Sequence, residues 1–144
     1  MSMIYFDNNA TTAVAPEVFE AMTPFLTSSF GNPSSAHAVG RAARRIVESS
    51  REEVASLIGA ASSDEIVFTS GGTESDNWAI LGALESLPEK RHIITTRVEH
   101  EAVRKLCELL SKKGYEISWL DVDADGALDP DQLRRELRTD TAIV

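Results

Sequence analysis

The stretch Glu65-Ile66-Val67-Phe68-Thr69-Ser70-Gly71-Gly72-Thr73-Glu74-Ser75-Asp76-Asn77 decides how the chain is read. Its β-branched and aromatic start predicts a strand over 65–69, and the paired glycines predict a tight turn. Thr73 to about Glu85 then predicts a helix. The alternation continues downstream. His92 to Thr96 reads as a strand, and Glu99 to Lys113 as a helix with Val103, Leu106, Cys107 and Leu110 on one face and Gly114 as its stop. Tyr115 to Leu120 is a further strand, Pro130 to about Leu137 a helix, and Thr141 to Val144 the start of a fourth strand. Strand–helix alternation with short turns implies right-handed crossovers and a mainly parallel sheet flanked by helices, an α/β fold. A strand that begins at Thr141 and meets the last residue predicts a sheet that is truncated within its domain.

Upstream of Glu65 the pattern differs. Asp7 to Thr12 is polar and Asn-rich, the chemistry of a loop, and Pro16 suits the first turn of a short helix through about Leu26. Gly31-Asn32-Pro33-Ser34-Ser35 is a second irregular segment. Ala43, Ile46, Val47, Ser50, Val54, Leu57 and Ile58 recur at three- and four-residue intervals, predicting one buried stripe on a long helix that Gly59 ends. Arg41, Arg44, Arg45, Glu48, Arg51, Glu52 and Glu53 fill the other positions as a solvated, salt-bridged face. The expected organisation is a loop and helical segment over 1–60, followed by an α/β portion over 61–144.

Composition narrows the function classes. The 144 residues are 42% hydrophobic and 26% charged, a globular balance that can support a core without disulfides or metal. Fourteen basic side chains against 23 acidic ones leave a formal charge of −9, which argues against nucleic acid or an anionic membrane as the main partner. The longest apolar run, around Trp78 to Leu84, is far short of the about 20 residues that span a bilayer. Met1 to Asp7 has no basic start and only a short apolar stretch, so no signal peptide is expected and a cytoplasmic location follows. Cys107 is the single cysteine, which rules out a disulfide within the chain and a cysteine-rich zinc site.

Three places could carry chemistry. The Gly71-Gly72 turn before a helix aims backbone N–H groups and a helix dipole at one point, which suits a phosphate. No lysine follows as in a Walker A loop, and the three-glycine dinucleotide pattern is missing. The plainer alternative is a strand-to-helix turn with Thr73 as N-cap and Asp76 closing a weak capping box. His100, directly after the next strand, is expected on the same carboxyl edge of the sheet, where it could stack on a ring, move a proton or simply cap its helix. Asp121 to Gln132 follows calcium-loop spacing, but Gln132 stands where a bidentate carboxylate is needed and a strand precedes the loop, so a polar connection with an Asp-Gly turn is the better reading. His37 is uninformative by itself, and Cys107 lies on an apolar helix stripe as a small buried hydrophobe.

Four stretches, in order, closely resemble the cysteine desulfurases of the class V aminotransferase group. They are Tyr5 to Thr12, Gly31 to His37, Phe68 to Asn77 and Glu99 to Val103. Selenocysteine lyases share most of them, so that alternative stays open. The resemblance implies part of the large domain of a fold-type I pyridoxal-phosphate enzyme, with Gly72 and Thr73 holding the cofactor phosphate and His100 stacking on the pyridine ring and assisting proton transfer. It also implies L-cysteine as substrate, alanine as product, a homodimer, and a sulfur-acceptor or scaffold partner that draws on an enzyme persulfide for iron–sulfur cluster or thio-modification pathways. The family's Schiff-base lysine and nucleophilic cysteine match nothing here; Lys90, Lys105, Lys112, Lys113 and Cys107 lie outside those motifs. The resemblance therefore implies an N-terminal portion that is inactive alone, or a non-catalytic cofactor-binding or dimerisation fragment.

Overall fold

Pro16, with its φ preset for a first helical turn, opens α1 (Pro16–Thr27), and α2 follows over Ala38–Ile58. The computed structural model describes residues 4–144; Met1, Ser2 and Met3, part of the stretch read for a leader, lie outside the described residues. The chain divides into two units, one ending at Val67 and one spanning Phe68–Val144.

In the first unit, the loop between the helices folds onto α2. Asn32 Oδ1 accepts from the Ser34 N–H at 2.9 Å, and Arg44 Nε donates to the Pro33 carbonyl at 2.8 Å. Gly40 is buried here because a Cβ at that position would sit 2.4 Å from the Ser35 carbonyl oxygen. Gly59, at φ 71°, closes α2 in the left-handed conformation that suits glycine. Two expectations need correction. Arg41 and Arg44 serve loop carbonyls rather than acidic neighbours, although Arg51 does pair with Glu48 at 3.2 Å. The apolar stripe is only partly buried: Ala55 is enclosed, but Leu57 is 85% exposed and Ile58 and Ile46 also face outward. Periodicity shows which face wants cover, and among the described residues Leu57 and Ile58 at the far end of that stripe stay exposed.

The expected strand over 65–69 does not form. Ser63–Glu65 is a single 3-10 turn, and 66–69 belong to no strand. Ile66 is extended in φ and ψ, yet a strand is defined by the neighbour it bonds to, and the Ile66 carbonyl receives the Arg51 guanidinium instead.

The second unit is built as the alternation requires. Helix α3 (Gly72–Ser86) leads to β1 (His92–Thr96), α4 (Glu101–Lys112), β2 (Glu116–Leu120), α5 (Pro130–Glu136) and β3 (Thr141–Ile143). The three strands are parallel in the order β2-β1-β3, with His92 opposite both Glu116 and Thr141. The core lies between the sheet and α3 and α4, where Leu84, Ile93, Leu106, Cys107 and Leu110 are buried together. Gly114, at φ 91°, lets the chain leave α4 and enter β2. The Asp121–Asp129 connection closes on itself: Asp123 Oδ1 accepts from the N–H groups of Asp125 and Ala127, and Val122 bridges Leu128. Among the described residues no cluster of three or more His, Cys, Asp or Glu is placed to hold a metal, and no helix is long and apolar enough to cross a membrane.

Candidate functional site

Helix α3 begins without a capping side chain. Gly71 is the N-cap, so Thr73 stands inside the first turn rather than capping it, and the capping box expected of Thr73 and Asp76 is replaced by another arrangement. Glu74 reaches back, its Oε2 accepting from the Ser70 N–H at 2.7 Å and the Ser70 hydroxyl at 2.6 Å. Those two hydrogen bonds hold the Glu74 carboxyl below its usual range. Thr69 and Ser75 hydroxyls meet at 2.7 Å across the same turn. The first N–H groups of any helix lack intrahelical acceptors, and here no N-cap oxygen takes them. Gly72 and Thr73 therefore offer donors, at the positive end of the helix dipole, from an exposed turn.

His100 is the N-cap of α4. Its Nδ1 accepts the Ala102 N–H at 3.1 Å, which in the neutral ring places the proton on Nε2. The cap and the exposed ring are compatible, since capping uses one nitrogen and leaves the other and both faces free. Thr73, Asn77, His100, Ala102 and Lys105 line one cleft of about 360 Å³. Asn77 Nδ2 donates to the Thr73 carbonyl at 2.7 Å and lies 3.5 Å from the Ala102 carbonyl, at the outer limit of a hydrogen bond. The two helix starts are thus side by side.

Sequence reasoning put the glycine turn and His100 on one edge because both were to follow strands. The first of those strands is missing, and the packing of α3 on α4 supplies the proximity instead. Asn77 and Lys105 were not singled out as lining residues. For Asn77 the signal was available, since it lies one helical turn after Thr73, whereas Lys105 stands five residues after His100, off the same-face spacing. Lys105 lies 3.7 Å from Glu108 and is largely exposed. His37 belongs to the unit ending at Val67, where its Nδ1 caps α2 through the Gly40 N–H at 3.3 Å. Cys107 is buried, and desolvation pushes its thiol pKa up, aided by the Glu99 charge, which is the opposite of an activated nucleophile.

Residues 4–144 match the family model described as aminotransferase class-V. The chain belongs to that family. A cysteine desulfurase of Trichormus azollae is 55% identical over 144 residues, covering 100% of this chain and 36% of that protein. Among solved structures, a NifS-like protein superposes with a TM-score of 0.88 at 42% identity, over 96% of this chain and 38% of its own. SspA in complex with cysteine superposes with a TM-score of 0.84 at 40% identity, over 95% of this chain and 40% of its own. The chain spans about 36% of the length of the curated relatives it matches. The resemblance and the α/β fold class read from the sequence are those of this class V family.

Proposed function

We propose that the chain is the N-terminal portion of a pyridoxal-phosphate-dependent cysteine desulfurase, acting on L-cysteine and passing sulfur to an acceptor protein. The observation that carries this reading is the juxtaposition of an uncapped helix start at Gly72-Thr73 with the His100 imidazole. The donor set suits the cofactor. The Gly72 and Thr73 N–H groups and the Thr73 hydroxyl would hold its phosphate, and because Glu74 is turned onto Ser70, its charge is already partly satisfied by donors. His100 would lie against the pyridine ring, its orientation fixed by the Nδ1 cap and its Nε2–H left to hold or move a proton. Lys105 and Glu101 set opposite charges along the same cleft. When bound, pyridoxal phosphate supplies an electron sink that stabilises carbanionic character beside the substrate amino group.

The chain alone is proposed to be inactive, because Cys107 is buried and cannot receive sulfur from a substrate. A homodimeric, cytoplasmic enzyme serving iron–sulfur assembly is the parent that this reading implies.

The test is complementation. The chain mixed with the C-terminal segment of a relative is expected to bind pyridoxal phosphate, with its visible absorbance, and to release alanine from L-cysteine. Two folded pieces that do neither would remove the reading. In the active assembly, Thr73→Ala or His100→Ala is expected to weaken cofactor retention, measured by gel filtration and absorbance. Full retention in both variants would displace the site.

A further inference from the structure

His92 takes no part in the cleft, and its side chain is 1% exposed at the centre of the sheet. Its Nδ1 lies 2.8 Å from Thr141 Oγ1 on β3, and its Nε2 lies 2.9 Å from Ser118 Oγ on β2. The bonds beyond these two fix where the protons are. Ser118 donates its hydroxyl proton to Glu136 Oε2 at 2.6 Å, so Ser118 Oγ can only accept from the ring, and Nε2 carries hydrogen. Thr141 Oγ1 accepts the Arg138 N–H at 2.9 Å, which leaves its own proton to donate to Nδ1. One line of hydrogen bonds therefore runs Arg138, Thr141, His92, Ser118, Glu136, all pointing the same way, through a neutral imidazole.

We propose that His92 is an acid-released clasp, a neutral imidazole of one tautomer that joins β3, β1 and β2 and, through Ser118, anchors α5. A proton on Nδ1 would face the Thr141 hydroxyl donor, and that hydroxyl would have to rotate and accept instead, giving up the acceptor of its own hydrogen, so protonation reverses the bond at β3 and breaks the one-way line. Burial pushes the His92 pKa down, with help from Arg138. Asp140, Glu116 and Glu136 pull the other way, and Lys90, whose Nζ donates to the Thr141 carbonyl at 2.8 Å, adds positive charge on that side. Arg91, the next residue, is placed over the Tyr115 ring. A folded pKa below the unfolded value gives stability that is complete above about 6.5 and is lost as pH falls through the folded value.

The experiment is ring-nitrogen NMR on the unmodified protein, combined with amide exchange over the same pH series. The expected result is a single neutral tautomer with hydrogen on Nε2 and a His92 titration below that of a free imidazole. Amides of Thr141–Ile143 and α5 should exchange about tenfold faster, after correction for intrinsic rates, for each pKa unit by which folding depresses the group. Titration at or above the free value, hydrogen on Nδ1, or unchanged exchange in β3 would each overturn the clasp. Thr141→Val, which keeps the shape and removes the hydroxyl facing Nδ1, should abolish the acid-side acceleration of exchange in β3. An acceleration equal to that of the unmodified protein in the folded variant would likewise overturn the clasp.

Discussion

The unit ending at Val67 and the unit starting at Phe68 carry equally clear apolar patterns and use them differently. In the second, every strand finds a neighbour, and α4 buries Ala102, Leu106, Cys107 and Leu110 against the sheet. In the first, α1 buries none of its side chains; Phe19 is 61% exposed and Phe25 and Leu26 also face outward. An amphipathic face is a demand for cover, and among the described residues the second unit meets it more fully than the first.

Truncating one side chain in each unit separates the two behaviours. Ile93→Ala or Leu106→Ala should cost about 2–5 kcal/mol, because each opens a cavity in the closed core. Leu57→Ala should change stability by no more than about 0.5 kcal/mol, since its side chain already meets solvent. Urea unfolding followed separately in each unit reads both, and equal losses would mean that the stripe on α2 is covered in solution.

Gly40→Ala asks whether the first unit has any rigid packing. Its new Cβ would meet the Ser35 carbonyl, so a cost of about 1–3 kcal/mol is expected, visible as faster amide exchange along the start of α2. A neutral result would show a loop that yields freely. Asn77→Ala tests the seam between α3 and α4, and loss of its bond to the Thr73 carbonyl should cost about 0.5–1.5 kcal/mol by thermal unfolding. The smallest effect belongs to Glu74→Gln on the exposed turn. Wild-type stability from this group is present above the ordinary carboxylate range and lost as pH falls through the lowered Glu74 value. The variant should lack that acid-side dependence when the two pH profiles are overlaid.

Much of the second unit was legible in advance. The spans of β1 and α3, the stop at Gly114 and the lone buried Cys107 follow from periodicity and turn chemistry, which act over a few residues. The strand over 65–69 was misread because β-branched residues favour extended backbone wherever they occur, while a ladder needs a partner that local sequence does not contain. The cap of α3 was misread for a related reason: Thr73 has the right hydroxyl, but the glycine pair let the helix start one residue earlier at Gly72, and Glu74 took the role assigned to Asp76. His92 passed unnoticed because nothing in its neighbours distinguishes a strand histidine that faces two hydroxyls from one that faces solvent.

The sequence by itself determined the element types from α3 onward, the glycine turn and the candidate residues Gly72, Thr73 and His100, because these depend on backbone preference and short-range spacing. Tertiary structure alone decided that α3 and α4 start side by side, that His92 bridges three strands, and which apolar faces are covered. Those outcomes depend on distant segments meeting, and the free energy of such contacts belongs to the pair rather than to either stretch of chain.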